Sequence, residues 1–505
     1  MLHRGQDVNR RELLSAGASA ALAIGALPLR APGCSGWRGG SEGPDSRRQP
    51  AKPDGPRPTP QQLAWHRAEL ALFVHFTVNT FTDREWGDGT EHPRIFHPAR
   101  LDARQWARVA QSGGFRTMIL TAKHHDGFCL WPTETTNHSV RSSPWRDGRG
   151  DVVGEFVDAC RAAGLGVGLY LSPWDRHEPS YGDSPRYNDL YARQLTELLT
   201  RYGPIVEVWF DGANGEGPNG RRQEYDWPRV HGIVRKLQPK AVIFSDAGPD
   251  IRWVGNEKGI AGDPNWCTVD PATVPYPGVS GDSITRALQH GDAHGSVWRP
   301  GEADVSIRPG WFWHDNEDDK VRTAENLVEL YCSSVGRNAG LLLNVPPTRD
   351  GLFHTTDVAR IAEFGERRRA IFATNLAAGA RAHTNGGEEQ AHPAAHVADG
   401  DPDSFWRPAA GVTTGWVELE LAHPATFDLA CLQEAIAHGQ NVERYTLQAW
   451  TGSGGGGAWT TLARGTTIGH KKLDRFPAVT SSRVRLAIDA ALDTPCLANL
   501  ALYRS

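Results

Sequence analysis

Polar side chains gather at the ends of apolar runs along the first two thirds of this chain, and the most compact group is Trp209-Phe210-Asp211-Gly212. A carboxylate at the end of an apolar strand suits a nucleophile. The glycine after it lets the chain turn and a ligand approach. Such an Asp must stay ionised, and desolvation opposes this unless hydrogen bonds or a cation hold the charge. On these residues alone, an Asp that caps the next helix is the alternative. Displacement at a sugar carbon by a carboxylate needs a second carboxyl group as acid and base. Asp246, Asp250, Glu257, Glu302 and Asp304 are candidates, all expected on loops after later strands. Spacing does not choose among them. Glu257 closes Arg252-Trp253-Val254-Gly255-Asn256-Glu257, where burial against Trp253 would keep a general acid protonated near neutral pH.

Lys123-His124-His125-Asp126-Gly127-Phe128 is dense in polar groups beside an apolar run. It suits hydrogen bonding to several hydroxyls. A metal-dependent hydrolase using His124, His125 and Asp126 is the competing reading. Adjacent strand residues point to opposite faces, however, so neighbouring histidines seldom share one ion. His75 ends another apolar run. Glu85-Trp86-Gly87-Asp88-Gly89 joins an aromatic face to acidic groups, which fits a sugar edge, and Trp311-Phe312-Trp313 would form an apolar wall.

The elements that position these groups alternate. Apolar runs at Leu70–Phe76, Thr117–Thr121, Gly166–Leu171, Val206–Phe210, Ala241–Phe244 and Gly340–Val345 read as strands buried on both faces. Amphipathic patterns at Ala103–Ser112, Val152–Ala163, Tyr187–Tyr202, Trp227–Leu237 and Ala324–Val335 read as helices. Repeated strand–helix units predict an α/β fold, a (β/α)8-like barrel over residues 59–370. An open doubly wound sheet is the alternative, but no G-x-G-x-x-G follows the first strand. In a barrel the strand ends share one mouth, where His75, His124, Trp174-Asp175, Asp211 and Asp246 would meet. Residues 373–505 lack long helical patterns. They alternate as strands, as in Trp416–Leu421 and Ser482–Ile488, which predicts an all-β sandwich.

The 505 residues leave room for both units. A net charge of −5 argues against a nucleic-acid surface. There are 18 tryptophans against 2 methionines, and flat apolar faces of that kind stack on sugar rings. The 7 cysteines show no zinc-like spacing and are expected to be mostly free and buried, a Cys431–Cys496 bridge being the exception to test. Arg10-Arg11 precedes an apolar run from Ala16 to Leu29, which is short for a membrane span. Residues 1–33 therefore read as a twin-arginine-like export signal and 34–58 as a linker rich in Gly, Pro, Ser and Arg. Ala31-Pro32-Gly33-Cys34 is a poor match to a lipoprotein box, so a lipid anchor at Cys34 is a subsidiary expectation. No other segment is apolar enough to span a membrane. The oligomeric state is not legible.

With these motifs in order, the chain from about 60 to 370 resembles the α-L-fucosidases of glycoside hydrolase family 29. The resemblance rests on His75, Glu85-Trp86-Gly87, the 123–128 cluster, Gly168-Leu169-Tyr170, Trp209–Gly212 and Gly340–Pro347. It implies a retaining double displacement with Asp211 as nucleophile and no required cofactor. It also implies that His75, His124, His125, Tyr170, Trp209 and Arg252 line a fucose pocket, with Trp86 close by. Arg252–Glu257 looks like the branch acting on α-1,3 and α-1,4 linkages of Lewis-type glycans, which makes Glu257 the acid/base and fucosylated oligosaccharides the partners. A non-catalytic fucose binder is the further alternative. Ala398–Trp406 and Gln433–Ile436 resemble discoidin-like (F5/8 type C) modules. Such modules often hold calcium, for which Asp399, Asp401 and Asp403 would be oxygen donors.

Overall fold

The computed structural model describes residues 55–452 and 456–505. The segment expected to be an export signal and Cys34 lie outside the described residues, as does nearly all of the expected linker. Among the described residues no helix is long and apolar enough to cross a membrane.

Eight parallel strands close into a barrel. They are β1 (Leu70–Val74), β2 (Thr117–Lys123), β3 (Gly166–Leu171), β4 (Glu207–Trp209), β5 (Val242–Ser245), β6 (Ile251–Trp253), β7 (Gly301–Ser306) and β8 (Ala339–Asn344). Closure is made by β1, which pairs with both β2 and β8. The expected helices form around it, and their apolar stripes face the strands. Ala103–Gly113 buries Trp106, Ala107, Val109 and Ala110, and Asp102 caps it by accepting from the Arg104 N–H.

Two barrel strands escape the apolar pattern. β6 is three residues long and carries Arg252 at its centre. β7 reads Gly-Glu-Ala-Asp-Val-Ser, alternating polar with apolar, yet every residue in it is buried. Glu302 and Asp304 thus sit within a strand, not on a loop as expected. Alternation that would mean solvent in an open sheet here means the polar interior of a barrel mouth. Asp250 lies between β5 and β6, with one oxygen accepting from the Ile243 N–H and the other paired with Arg235.

The C-terminal unit is an antiparallel sheet folded around its own core of Val417, Leu419, Phe427, Leu447, Val484 and Leu486. Its strands are β9 (Arg381–Thr384), β10 (Gly415–Glu434), β11 (Val442–Thr451), β12 (Ala458–Gly465), β13 (Lys472–Ala491) and β14 (Leu497–Tyr503). Register breaks in β10 between Glu420 and Ala425 and between Phe427 and Leu429 bend it. Its first part therefore pairs with β9 and its last with β14.

The motif residues of this unit prove structural. Trp406 is buried in the core, and Glu434 accepts the N–H groups of Asn441, Val442 and Gly469. Cys431 and Cys496 are both free, so the bridge does not form. The Asp399 and Asp401 carboxylates close local turns by accepting the N–H groups two residues on, and Asp403 pairs with Arg67. These acids do not form a group that could hold a metal ion by side chains among the described residues. The two units meet through a polar seam. Gln440 accepts from the Cys267 N–H at 2.8 Å and donates to Asn265 O at 3.0 Å, while Lys472 pairs with Asp263 at 2.6 Å.

Candidate active site

A cavity of about 1910 Å³ opens at the C-terminal ends of the barrel strands. His75, Glu85, Trp86, His124, His125, Trp209, Asp211 and Trp311 line it, together with Glu257 and Asp304. Residues 200 positions apart in sequence meet here because every strand delivers its last residues to the same rim.

Asp211 follows β4 and is 8% exposed. Its Oδ1 accepts from the Ala213 N–H at 2.7 Å, and its Oδ2 accepts from the Tyr170 hydroxyl at 3.4 Å. His125 Nε2 lies 3.9 Å from the same Oδ2. The capping role is filled elsewhere, since Asp226 caps the next helix by accepting from the Arg229 N–H. Gly212 is required by space: a Cβ there would lie 2.0 Å from Asp246 Oδ2. Asp246 itself is buried against this turn and accepts from the Gly278 N–H at 3.2 Å.

The histidines are set by their neighbours. His75 Nδ1 is 2.8 Å from Asn344 Oδ1. Burial, which outweighs that bond, pushes its pKa down to about 3. His124 is likewise held well below the ordinary range by burial, then by His125 and His75. Its Nδ1 is buried with no hydrogen-bond partner among the described residues. His125 Nδ1 lies 2.7 Å from Ser172 Oγ, whose own proton goes to Trp174 O. His125 Nδ1 must therefore carry a hydrogen. Trp86 meets His125 and Trp174 edge-on and completes this wall.

Several expected site residues fall outside the lining. Arg252 turns away from the barrel axis and donates to Leu288 O, Arg299 O and Asn265 Oδ1. Trp253 takes the inward position, and strand alternation forces that exchange. Trp313 is buried and donates to Asp318. Tyr170 lies beneath the lining and reaches it through Asp211. Glu302 sits below Trp209, accepts its Nε1–H at 2.9 Å and faces Glu207. Burial raises its pKa to about 7. Glu85 does line the cavity, but its carboxylate accepts the N–H groups of Trp311 and Phe312 and meets His314.

Glu257 and Asp304 are thus the second-carboxyl candidates that reach the cavity. Asp304 is 2% exposed and accepts from Trp253 Nε1 at 2.7 Å. Glu257 is half-buried on the loop after β6. Asp126 lies behind the lining, where Phe128 N–H and the Thr77 hydroxyl occupy its oxygens. It does not join His124 and His125 as a metal ligand. Among the described residues no His, Cys, Asp or Glu set is grouped to hold a metal ion. The lining also includes Trp227, His231, Tyr276 and Arg299, which the sequence patterns did not single out. Tyr276 is 56% exposed at the rim. Its Pro-Tyr-Pro setting was the available signal, and it reads from sequence as an ordinary loop.

Residues 60–367 match the family model described as Alpha-L-fucosidase, and residues 379–499 match the F5/8 type C domain. The chain belongs to the family 29 α-L-fucosidases. It is 45% identical over 452 residues to Alpha-L-fucosidase 1 of Arabidopsis thaliana, covering 89% of this chain and 87% of that one. The solved structure named SpGH29 covers 90% of this chain and 99% of its own, with 40% identity and a TM-score of 0.83. A Ruminococcus gnavus GH29 fucosidase solved in complex with fucose covers 91% and 97%, with 32% identity and a TM-score of 0.81. As an α-L-fucosidase, this enzyme is a glycoside hydrolase acting on fucosylated substrates. Its barrel is the matched catalytic part, and the sheet unit is the matched F5/8 type C part.

Proposed function

We propose that the enzyme is an exo-acting, retaining α-L-fucosidase in which Asp211 is the nucleophile and Glu257 the acid/base. The observation that carries this reading is the Asp211 carboxylate in the cavity wall. One oxygen is tied to the Ala213 N–H, and the other faces the cavity beside Tyr170 and His125. The Ala213 N–H and the Tyr170 hydroxyl favour the ionised form that attack requires. Asp211 Oδ2 adds to the anomeric carbon as Glu257 protonates the leaving oxygen. Glu257 then takes a proton from water, which displaces Asp211 and releases fucose with its configuration kept. Half-burial of Glu257 on the cavity rim fits a group that alternates between both states. Asp304 is more deeply buried and already holds the Trp253 indole.

The apolar wall of Trp311 and Trp209 suits the methyl group of a 6-deoxy sugar, and His75, His124 and His125 suit its hydroxyls. A cavity much larger than one monosaccharide supports a branched substrate with α-1,3- or α-1,4-linked fucose, of Lewis type. The paired arginines ahead of an apolar run support export before catalysis. The test compares Lewis-type trisaccharides with α-1,2-fucosyl lactose, using the wild type, Asp211→Ala and Glu257→Ala. Asp211→Ala should abolish turnover, and azide should restore activity to Glu257→Ala on an aryl fucoside whose leaving group departs without protonation. Near-normal turnover by Asp211→Ala would overturn the nucleophile, and a fully active Glu257→Ala would move the acid/base role to Asp304.

A further inference from the structure

We propose that Asn344 is a positioning residue that locks His75 as its Nδ1–H tautomer, so that His75 Nε2 offers a lone pair to a substrate hydroxyl. The inference rests on the fucoside reading above, since it concerns how the same cavity meets a sugar.

Strand register places the parts. Asn344, the last residue of β8, pairs with Phe73 on β1 and Ser306 on β7. His75 lies two residues beyond Phe73, at the cavity. Asn344 is fully buried, and its amide makes three bonds. Nδ2 donates to Ser306 Oγ at 2.9 Å and to Trp311 O at 2.8 Å, while Oδ1 lies 2.8 Å from His75 Nδ1.

The orientation of that amide follows from its partners. Trp311 O is a carbonyl and can only accept. Ser306 spends its hydroxyl proton on Gly310 O at 2.7 Å, so toward Asn344 it also accepts. The NH2 end must face these two. A flipped amide would set oxygen against a carbonyl oxygen at a fully buried position. Oδ1 therefore faces His75, and His75 Nδ1 must donate to it. Burial keeps the ring neutral, which leaves Nε2 as an acceptor. Ser172 imposes the same tautomer on His125. His75 Nε2 is thus set to accept from a hydroxyl, as a polyol requires.

The amide has a second effect. By holding Trp311 O it fixes one end of the peptide whose N–H, that of Phe312, is held by Glu85. One residue thereby couples the polar and apolar walls of the site. Outer partners of metal-ligating histidines carry roughly 10–100-fold in activity, and a loss of that order is expected where the histidine holds a sugar hydroxyl.

The test begins with the wild-type enzyme labelled with 15N at histidine, with the His75 signals assigned using His75→Gln. Long-range 15N–1H spectra should show the Nδ1–H tautomer unchanged from pH 5 to 8. An Nε2–H tautomer would overturn the proposal, and this measurement needs no Asn344 variant to fold. The second arm is Asn344→Asp beside Asn344→Ala. The carboxylate still accepts from Nδ1 but raises the ring's proton affinity and turns Nε2 into a donor. The same carboxylate cannot donate to Trp311 O or Ser306 Oγ, so kcat/KM of Asn344→Asp should lie below wild type at every pH and fall roughly 10-fold or more further at pH 5, whereas Asn344→Ala loses activity evenly across pH. Parallel profiles for folded Asn344→Asp and wild type would overturn the proposal. Failure of the fucosidase reading looks different: the wild type itself would release no fucose, whatever tautomer His75 holds.

Discussion

Glu85 and His314 form the clasp that holds the apolar wall: His314 Nε2 lies 2.8 Å from Glu85 Oε1, and its Nδ1 lies 2.8 Å from Asp83 Oδ1. The same Glu85 carboxylate accepts the Trp311 and Phe312 N–H groups at 2.7 and 3.0 Å. Close approach is possible because residue 310 is glycine, where a Cβ would lie 2.5 Å from Glu85 Oε1. Glu85 thus builds the wall with a carboxylate that sequence reasoning had assigned to the sugar.

The clasp should be pH-sensitive. Its hydrogen bond to Glu85, aided by Asp83, raises the His314 pKa to about 9 against partial burial. The folded value lies above the unfolded one, so the stabilisation is full below pH ~6.5 and fades as pH passes about 9. His314→Asn should raise KM with a smaller change in kcat. It should also flatten the KM increase expected of the wild type between about pH 8 and 10. An unchanged KM–pH curve in the variant would disprove the clasp.

Gly212→Ala should damage activity far more than stability. The new methyl would meet Asp246 Oδ2 at 2.0 Å and force the turn that carries Asp211 to move. Misplacement of a reacting group by an ångström costs on the order of 100-fold. Steady-state kinetics beside thermal melts will show it, and wild-type kcat would refute it.

Glu302→Gln should stabilise the fold at neutral pH. Glu302 prefers to be protonated in the folded barrel, with its pKa raised to about 7 by burial. Its stability contribution is therefore full below about pH 4.5 and is lost as pH rises toward 7. The amide keeps an acceptor for Trp209 Nε1 and cannot ionise. Denaturant melts across pH 4 to 8 should be flatter for the variant, with a higher midpoint at pH 7.

Gln440→Ala should loosen the join between barrel and sheet. It strips the partner from the buried Cys267 N–H, while Asn265 O keeps the Asn338 amide. Leaving such a group unpaired costs about 1–3 kcal/mol. A lower melting temperature is expected with kcat/KM of the folded enzyme unchanged, because the seam lies away from the Asp211 mouth.

Much of the enzyme was legible in its sequence. Six barrel strands announced themselves as continuous apolar runs, because strands covered on both faces carry no polar alternation. The flanking helices showed their period, and Trp209–Gly212 marked the strand end with its carboxylate. Those signals are local, held within one element. The tertiary structure alone decided which residues face the cavity. Register and strand alternation turned Trp253 inward and Arg252 outward. Closure of the barrel hid Glu302 beneath Trp209 and brought Glu257 and Asp304 to the rim. It also joined Asn344 to His75 across 269 positions. Sequence spacing carries no record of such pairings, since they exist only where separate strands lie side by side.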